Sequence, residues 1–332
     1  MAGWPSASPA CRPCAAAGIS GKPHKGTILS KIAVIINASA GCGYAPDWAQ
    51  QLEAQFLAVG LDAAITLAQS GAEMIATAEQ ALRDGAPIVV AGGGDGTINA
   101  VASVVTGSGT PFGVLPLGTL NHFAKDLNIP LTLDAAIANV AQGVPHQVDV
   151  GEVNGRIFLN NSSLGLYPDI VRDREKQQRR LGRGKWLAFS WALVAALRRY
   201  PFLSVQLKLN DAVHARRTPF VFIGNNEYLM EGLNIGERER LDGGQLSLYV
   251  AQRPGRLGLL KLALHALFGK LSQAKDFDVL TATDLEIATK HRRLRVATDG
   301  EVTIMNTPLH YRIRPAALAV LVPAPAAAPG GE

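Results

Sequence analysis

Short apolar runs recur through the first part of the chain, each closed by a glycine-bearing loop and followed by a stretch with helical spacing. Ile32–Ile36 ends at Asn37-Ala38-Ser39-Ala40-Gly41-Cys42-Gly43; Trp48, Leu52, Gln55, Phe56 and Val59 then share one helical stripe, and Gly60 stands where the helix would stop. Ala63–Leu67 reads as a second strand and Ala72–Arg83 as a second helix. Pro87–Ala91 predicts a third strand, running into Gly92-Gly93-Gly94-Asp95-Gly96-Thr97 and a helix from about Ile98 to Val105. Phe112–Leu115 predicts a fourth, running into Pro116-Leu117-Gly118-Thr119-Leu120-Asn121 and a helix through Leu127. Continuous apolar strands alternating with helices predict an α/β fold, a doubly wound parallel sheet covered on both faces. Ligands of such sheets bind beyond the carboxyl ends of the strands, where these polar loops fall.

From Val148 onward the texture changes to short apolar or alternating runs: Ile157–Leu159, Ser204–Leu209, Thr218–Ile223, Leu246–Ala251, Asp284–Ala288 and Leu294–Thr298. Asn210-Asp211, Asp242-Gly243-Gly244 and Asp299-Gly300 punctuate them as turns. This half predicts an antiparallel β-sandwich-like domain with helices around 186–199 and 256–271. The division is a disordered tail at 1–28, a nucleotide-binding α/β domain at 29–146, a β-rich substrate domain at 147–322 whose final strand returns to the first domain, and an Ala/Pro/Gly tail at 323–332.

Composition narrows the class. The 332 residues suffice for two domains, and 48% hydrophobic with 18% charged residues excludes a mainly disordered chain. The net charge of +5 is mild, so its distribution matters more than its total. Three cysteines, Cys11, Cys14 and Cys42, exclude a disulfide framework and suit a reducing compartment. Cys11 and Cys14 have half of a zinc-ribbon spacing with no second pair. The longest apolar run, Trp186–Leu197, falls short of the roughly 20 residues a spanning helix needs.

Gly92–Thr97 is where chemistry is to be sought. Glycines bring backbone close to a ligand, and the helix that follows offers free N–H groups and a positive dipole end to phosphate oxygens. Asp95 in that loop suits Mg²⁺ beside a triphosphate. Neither the GxxxxGK[ST] nor the GxGxxG pattern is met.

Gly93-Gly94-Asp95-Gly96-Thr97, followed by Pro116-Leu117-Gly118-Thr119-Leu120-Asn121 with Phe123-Ala124 and, much later, Asp299-Gly300-Glu301, resembles the diacylglycerol kinase catalytic domain family. That family takes in bacterial lipid kinases and the diacylglycerol, ceramide and sphingosine kinases. The resemblance runs from about Lys31 to Pro323 and implies an active site in the cleft between a nucleotide domain and a β-sandwich-like domain. It implies that Gly92, Gly93, Gly94, Asp95, Gly96, Thr97 and Ile98 bind ATP phosphates, with Asn37, Thr66 and Thr119 as further nucleotide contacts. Asp95 and Glu301 become the catalytic pair, Glu301 as proton acceptor, and Asp242 in Asp242-Gly243-Gly244-Gln245-Leu246 a magnesium ligand. Four positions depart from the family pattern: Ser39 is displaced by one place, and Ala100, His122 and Gly243 stand where acids are common.

The expectation is therefore an ATP- and Mg²⁺-dependent kinase of a hydroxyl on diacylglycerol or a related amphipathic lipid. Two alternatives use the same loop: an NAD or sugar-phosphate kinase, and a nucleotide-gated lipid sensor with little catalysis, the latter motivated by Ala100 and Gly243. Between Arg172 and Arg199, nine Lys or Arg residues and two acids flank Trp186, Phe189 and Trp191. Such a basic, Trp-bearing segment suits an anionic bilayer interface, so the protein is expected in the cytoplasm, peripheral to the inner membrane face. An exposed edge strand in the second domain would permit a homodimer. Nucleic acid is not an expected partner, since no recognition helix, RNP pattern or zinc finger accompanies the charge.

Overall fold

The computed structural model describes residues 31–38, 44, 47–165, 203–209, 212–229, 237–238, 240–251 and 277–325. The tail at 1–28, the helices around 186–199 and 256–271 and the basic Trp-bearing segment lie outside the described residues.

Alternation of strand and helix begins with β1 (Ile32–Asn37), α1 (Trp48–Ala58), β2 (Ala63–Ala68), α2 (Gly71–Arg83), β3 (Val89–Gly93), α3 (Asp95–Val105), β4 (Phe112–Pro116), α4 (His122–Asp126) and α5 (Leu133–Gln142). Every residue of β3 and β4 is buried, as their unbroken apolar sequence requires of strands covered on both faces. One face is covered by α2 and α3 through Met74, Ala78, Ile98 and Val101, the other by α1 and α5 through Leu52, Phe56, Ile137 and Val140. Each fully buried large side chain contributes about 1.5–3 kcal/mol over leaving it exposed. The ends are set locally: Ser70 Oγ accepts from Glu73 N to cap α2, and Gly60, at φ +85°, follows α1.

The β-rich half comprises β5 (Val144–Val153), β6 (Arg156–Phe158), β7 (Asn161–Gly165), β8 (Leu203–Leu209), β9 (Ala212–Thr218), β10 (Phe220–Asn225), β11 (Tyr228–Leu229), β12 (Glu237–Arg238), β13 (Leu246–Ala251), β14 (Phe277–Ala282), β15 (Asp284–Thr289), β16 (Arg293–Thr298), β17 (Glu301–Asn306) and β18 (Leu309–Val322). One sheet runs β2-β1-β3-β4-β18-β15-β8-β9, with β5 along the other edge of β18 and β6 beyond it. A second, wholly antiparallel sheet runs β14-β13-β10-β7-β16-β17 and packs against the far half of the first through Phe158, Leu207, Ile223, Leu248, Ile287 and Tyr311. The fold is a parallel-sheet α/β domain followed by an antiparallel sandwich.

Several elements differ from the sequence reading. Helix α3 begins at Asp95, three residues before Ile98, so the glycine loop already forms its first turn. Helix α5 was not foreseen because its alanines dilute the apolar period. Strands β9 and β17 carry exposed polar residues and lack an apolar run to announce them. Strand β18 is interrupted in sequence by Pro315, where a bulge between Arg314 and Leu318 shifts its register against β5. This strand pairs with β15 over Leu309–Arg312 and with β4 at Val320, so it belongs to both halves.

Candidate active site

The carboxyl end of β3 delivers Gly92 and Gly93 to the sheet edge, and Gly94 is the residue that caps α3. A side chain on Gly118 would run into the Gly94 backbone, so the two loops approach more closely than any larger residue allows. Asn121 closes the second loop from within. Its Oδ1 accepts from Gly118 N at 3.1 Å, and its Nδ2 donates to the carbonyls of Pro116 and Gly118 at 3.2 and 3.0 Å. It sits at φ +52°, a region that asparagine tolerates better than most residues. These bonds explain the Pro-x-Gly-Thr-x-Asn spacing in physical terms.

Between the two halves lies a cleft of about 680 Å³, a volume suited to a nucleotide-sized ligand. Its walls bring together Asn37, Gly94, Gly96, Thr97, Thr119 and Glu301, which the phosphate loop and the family resemblance had implied, with Ala100, Leu117 and Gly118 of the same motifs, and add Gly71 and Met74, which were not expected. Asn37 Nδ2 donates to Thr97 Oγ1 at 3.1 Å, linking the ends of β1 and the phosphate loop. Ile98 is buried beneath the loop, and Gly92 and Gly93 are buried in β3. Thr66 lies on β2 opposite Ile35, outside the residues that line the cleft.

Asp95 opens α3 between Gly94 and Gly96, both of which line the cleft. Its Oδ1 accepts from Phe123 N at 3.3 Å, and its second oxygen has no partner among the described residues. Magnesium takes one or two carboxylates and completes its shell with phosphate oxygens and water. One available carboxylate oxygen beside the half-buried N-terminus of α3 fits a cation that arrives with a nucleotide.

The second-domain metal expectation does not fit its surroundings. Asp242 accepts from Arg240 Nε at 2.8 Å, and that bond holds its carboxyl below the ordinary value. A Cβ on Gly243 would stand 2.7 Å from Asn226 Oδ1, so space for a second acid is already filled. Among the described residues no cluster of three or more His, Cys, Asp or Glu could hold a metal.

Residues 31–153 match the family described as diacylglycerol kinase catalytic domain, and residues 169–322 match the YegS C-terminal NAD kinase beta sandwich-like domain. The chain carries a diacylglycerol kinase catalytic domain followed by a YegS-type C-terminal domain. A relative from Pseudomonas aeruginosa, named a probable lipid kinase YegS-like, is 29% identical over 265 residues, 74% of this chain and 80% of its own length. A Chromohalobacter salexigens protein of the same name is 26% identical over 245 residues, 72% of this chain and 77% of its own. A crystal structure titled a diacylglycerol kinase, from Bacillus anthracis, shares the fold with a TM-score of 0.68, at 22% identity over 89% of this chain and 98% of that one.

Beside this catalytic domain the cleft also uses residues that the motifs do not announce. Arg156 on β6 donates from Nη2 to Glu301 Oε2 at 2.5 Å and from Nε to Thr298 Oγ1 at 2.9 Å, clamping the proton-acceptor candidate to its own hairpin. Glu301 Oε1 lies 3.6 Å from where a Cβ on Gly96 would be, so the late motif reaches the first turn of α3. Asp299 faces inward instead. Its carboxylate accepts the amides of Leu159, Asn160 and Asn161 at 2.7–2.9 Å, while burial pushes it up to about 6 against the pull of those donors. The only sequence signal for Arg156 is the preceding Asn154-Gly155 turn, which says nothing of its partner.

Proposed function

We propose that this chain is an ATP- and Mg²⁺-dependent lipid kinase that phosphorylates a hydroxyl of diacylglycerol or a related amphipathic lipid. One observation carries the reading: Glu301, on a hairpin of the second half, stands against Gly96 in the phosphate loop of the first. A proton acceptor beside a phosphate cradle is the arrangement that phosphoryl transfer to an alcohol requires, because that chemistry depends chiefly on positioning and charge neutralisation.

Bound Mg²⁺·ATP supplies the phosphoryl group and the cation that offsets its charge. The chain's own part is to receive phosphate oxygens at the α3 N-terminus, to hold the cation through Asp95 Oδ2, and to orient Glu301 with Arg156. Glu301 takes the hydroxyl proton as the oxygen commits to phosphorus; an alcohol this weakly acidic is not deprotonated beforehand. The names of the relatives favour a lipid over NAD or a sugar phosphate as acceptor. No helix of the described residues is long and apolar enough to cross a membrane, and a peripheral protein would meet its lipid through the basic, Trp-bearing segment at 172–199.

The test is transfer of label from γ-labelled ATP with Mg²⁺ to mixed micelles containing diacylglycerol, ceramide or sphingosine. Wild type should label a lipid, and Asp95→Ala and Glu301→Gln should not. Label on NAD or a sugar phosphate instead would replace the lipid by a soluble acceptor. ATP binding without transfer to any acceptor would make the protein a nucleotide-gated sensor.

A further inference from the structure

Arg238 lies on the β11–β12 ribbon with no side-chain exposure, and all three of its guanidinium nitrogens are engaged. Nε and Nη2 pair with Asp126 Oδ2 of α4 at 2.8 and 2.7 Å. Nη1 donates to the carbonyls of Leu159 and Asn225 at 2.7 and 3.2 Å, and Nη2 to Asn160 Oδ1 at 2.7 Å. The guanidinium also sits 5.3 Å from the centre of the Tyr228 ring. A buried ion pair is weak evidence of stabilisation, because desolvation offsets most of the attraction, so its placement calls for another reason.

The segment that Arg238 grips by its carbonyl side is the one that Asp299 grips by its amides. Asp299 N in turn donates to Asn161 O at 2.9 Å, and two residues later comes Glu301. At the other end, Asp126 closes α4, whose Phe123 amide is bound by Asp95 of the phosphate loop. The contacts therefore form a circuit around the cleft: Asp95, α4, Asp126, Arg238, residues 159–161, Asp299, Glu301, and back to Gly96.

We propose that Arg238 is a positioning residue for phosphoryl transfer, fixing residues 159–161 to α4 and thereby holding Glu301, through Asp299, against the first turn of α3. The inference rests on the kinase reading above. Asp299 is faced by Arg238 and Tyr228 from β12 and β11, with Asp126 beyond the guanidinium and the Arg156–Glu301 pair on its own side. Protonating it removes an acceptor from one of three amides, and the positive charge of Arg238 opposes that protonation.

The experiment compares wild type with Arg238→Lys and with the double variant Arg238→Gln/Asp126→Asn, which leaves no charge buried alone. Lipid transfer is measured across pH 5–8, with melting temperature and ATP affinity recorded alongside. In the double variant kcat should fall about 10²-fold, as misplacement of a reacting group by an ångström does, while the KM for ATP stays within about threefold. The acid limb of kcat should move to higher pH. Arg238→Lys should recover part of kcat, because an ammonium still pairs with Asp126 but lacks the fork that reaches the carbonyls of Leu159 and Asn225. A double variant with a lower melting temperature but wild-type kcat and pH profile would reduce Arg238 to a stabilising pair and overturn the inference. If wild type labels no acceptor, the kinase reading fails, and amide exchange decides the positioning alone. Faster exchange at Leu159–Asn161 and Glu301 in the double variant sustains it, and unchanged protection sinks it.

Discussion

Glu301 and Arg156 show how one short contact divides the work of a carboxylate. Arg156 fixes one oxygen of Glu301 and leaves Oε1 toward the α3 turn, so Glu301→Gln should preserve the shape of the hairpin while losing the base. A fall in lipid transfer of about 10²–10⁴-fold, with ATP affinity by calorimetry unchanged, is the expected outcome. Gly118→Ala should act differently: its Cβ meets the backbone of Gly94, so ATP binding itself should be lost. Asp299 adds a pH term. Its proton is held to about pH 6 in the folded chain but released near 3.8 when unfolded, so the native state binds more protons across that window. Unfolding free energy should therefore decline as pH rises from about 4 to 6, and urea titrations of Asp299→Asn should lack this contribution. The glycines stood out in the sequence by their density, whereas Glu301 was named only through the family resemblance, because Asp299-Gly300-Glu301 by itself reads as a charged hairpin turn. Arg156 and Arg238 were not legible in it, since an arginine's role is set by carbonyls and carboxylates remote in sequence.

At the scale of elements, the strands of the parallel half announced themselves because each is apolar on both faces. The strands missed are those whose outer residues meet solvent, such as Ala212–Thr218 and Glu301–Asn306. The bulge in β18 has its own support. Asp149 accepts from Ala316 N at 2.9 Å, where Ala316 sits at φ +47°, and from Gly244 N at 2.6 Å. One carboxylate thus ties the bulge to the loop before β13. Asp149→Ala should strand both amides and lower stability by about 1–3 kcal/mol per donor left without a partner, measured by urea unfolding. Nothing in the alternation around Val148 hinted at this, because the partners of Asp149 lie on separate later segments.

For the whole molecule, the two halves share a sheet, and their order along the chain conceals it. The sequence suggested two domains with the final strand returning to the first; in the fold β5 and β18 run side by side from Val144 to Val153 and from Tyr311 to Val322, with α5 tied to the latter by Asn139 Nδ2 donating to Leu321 O at 2.9 Å. Unfolding should therefore show coincident transitions by circular dichroism and by amide exchange in either half. Mg²⁺·ATP at a hundredfold excess over its Kd should add about 2.7 kcal/mol to the unfolding free energy. The placement of β18 also sets a timetable. A ribosome that has finished β4 has made the phosphate loop and β1 through β4, yet the strand that flanks β4 is not synthesised until residues 309–322 emerge. Until then, the nucleotide half exposes one side of β4 as an open edge, so a fragment truncated before residue 309 should be more prone to self-association than the whole chain.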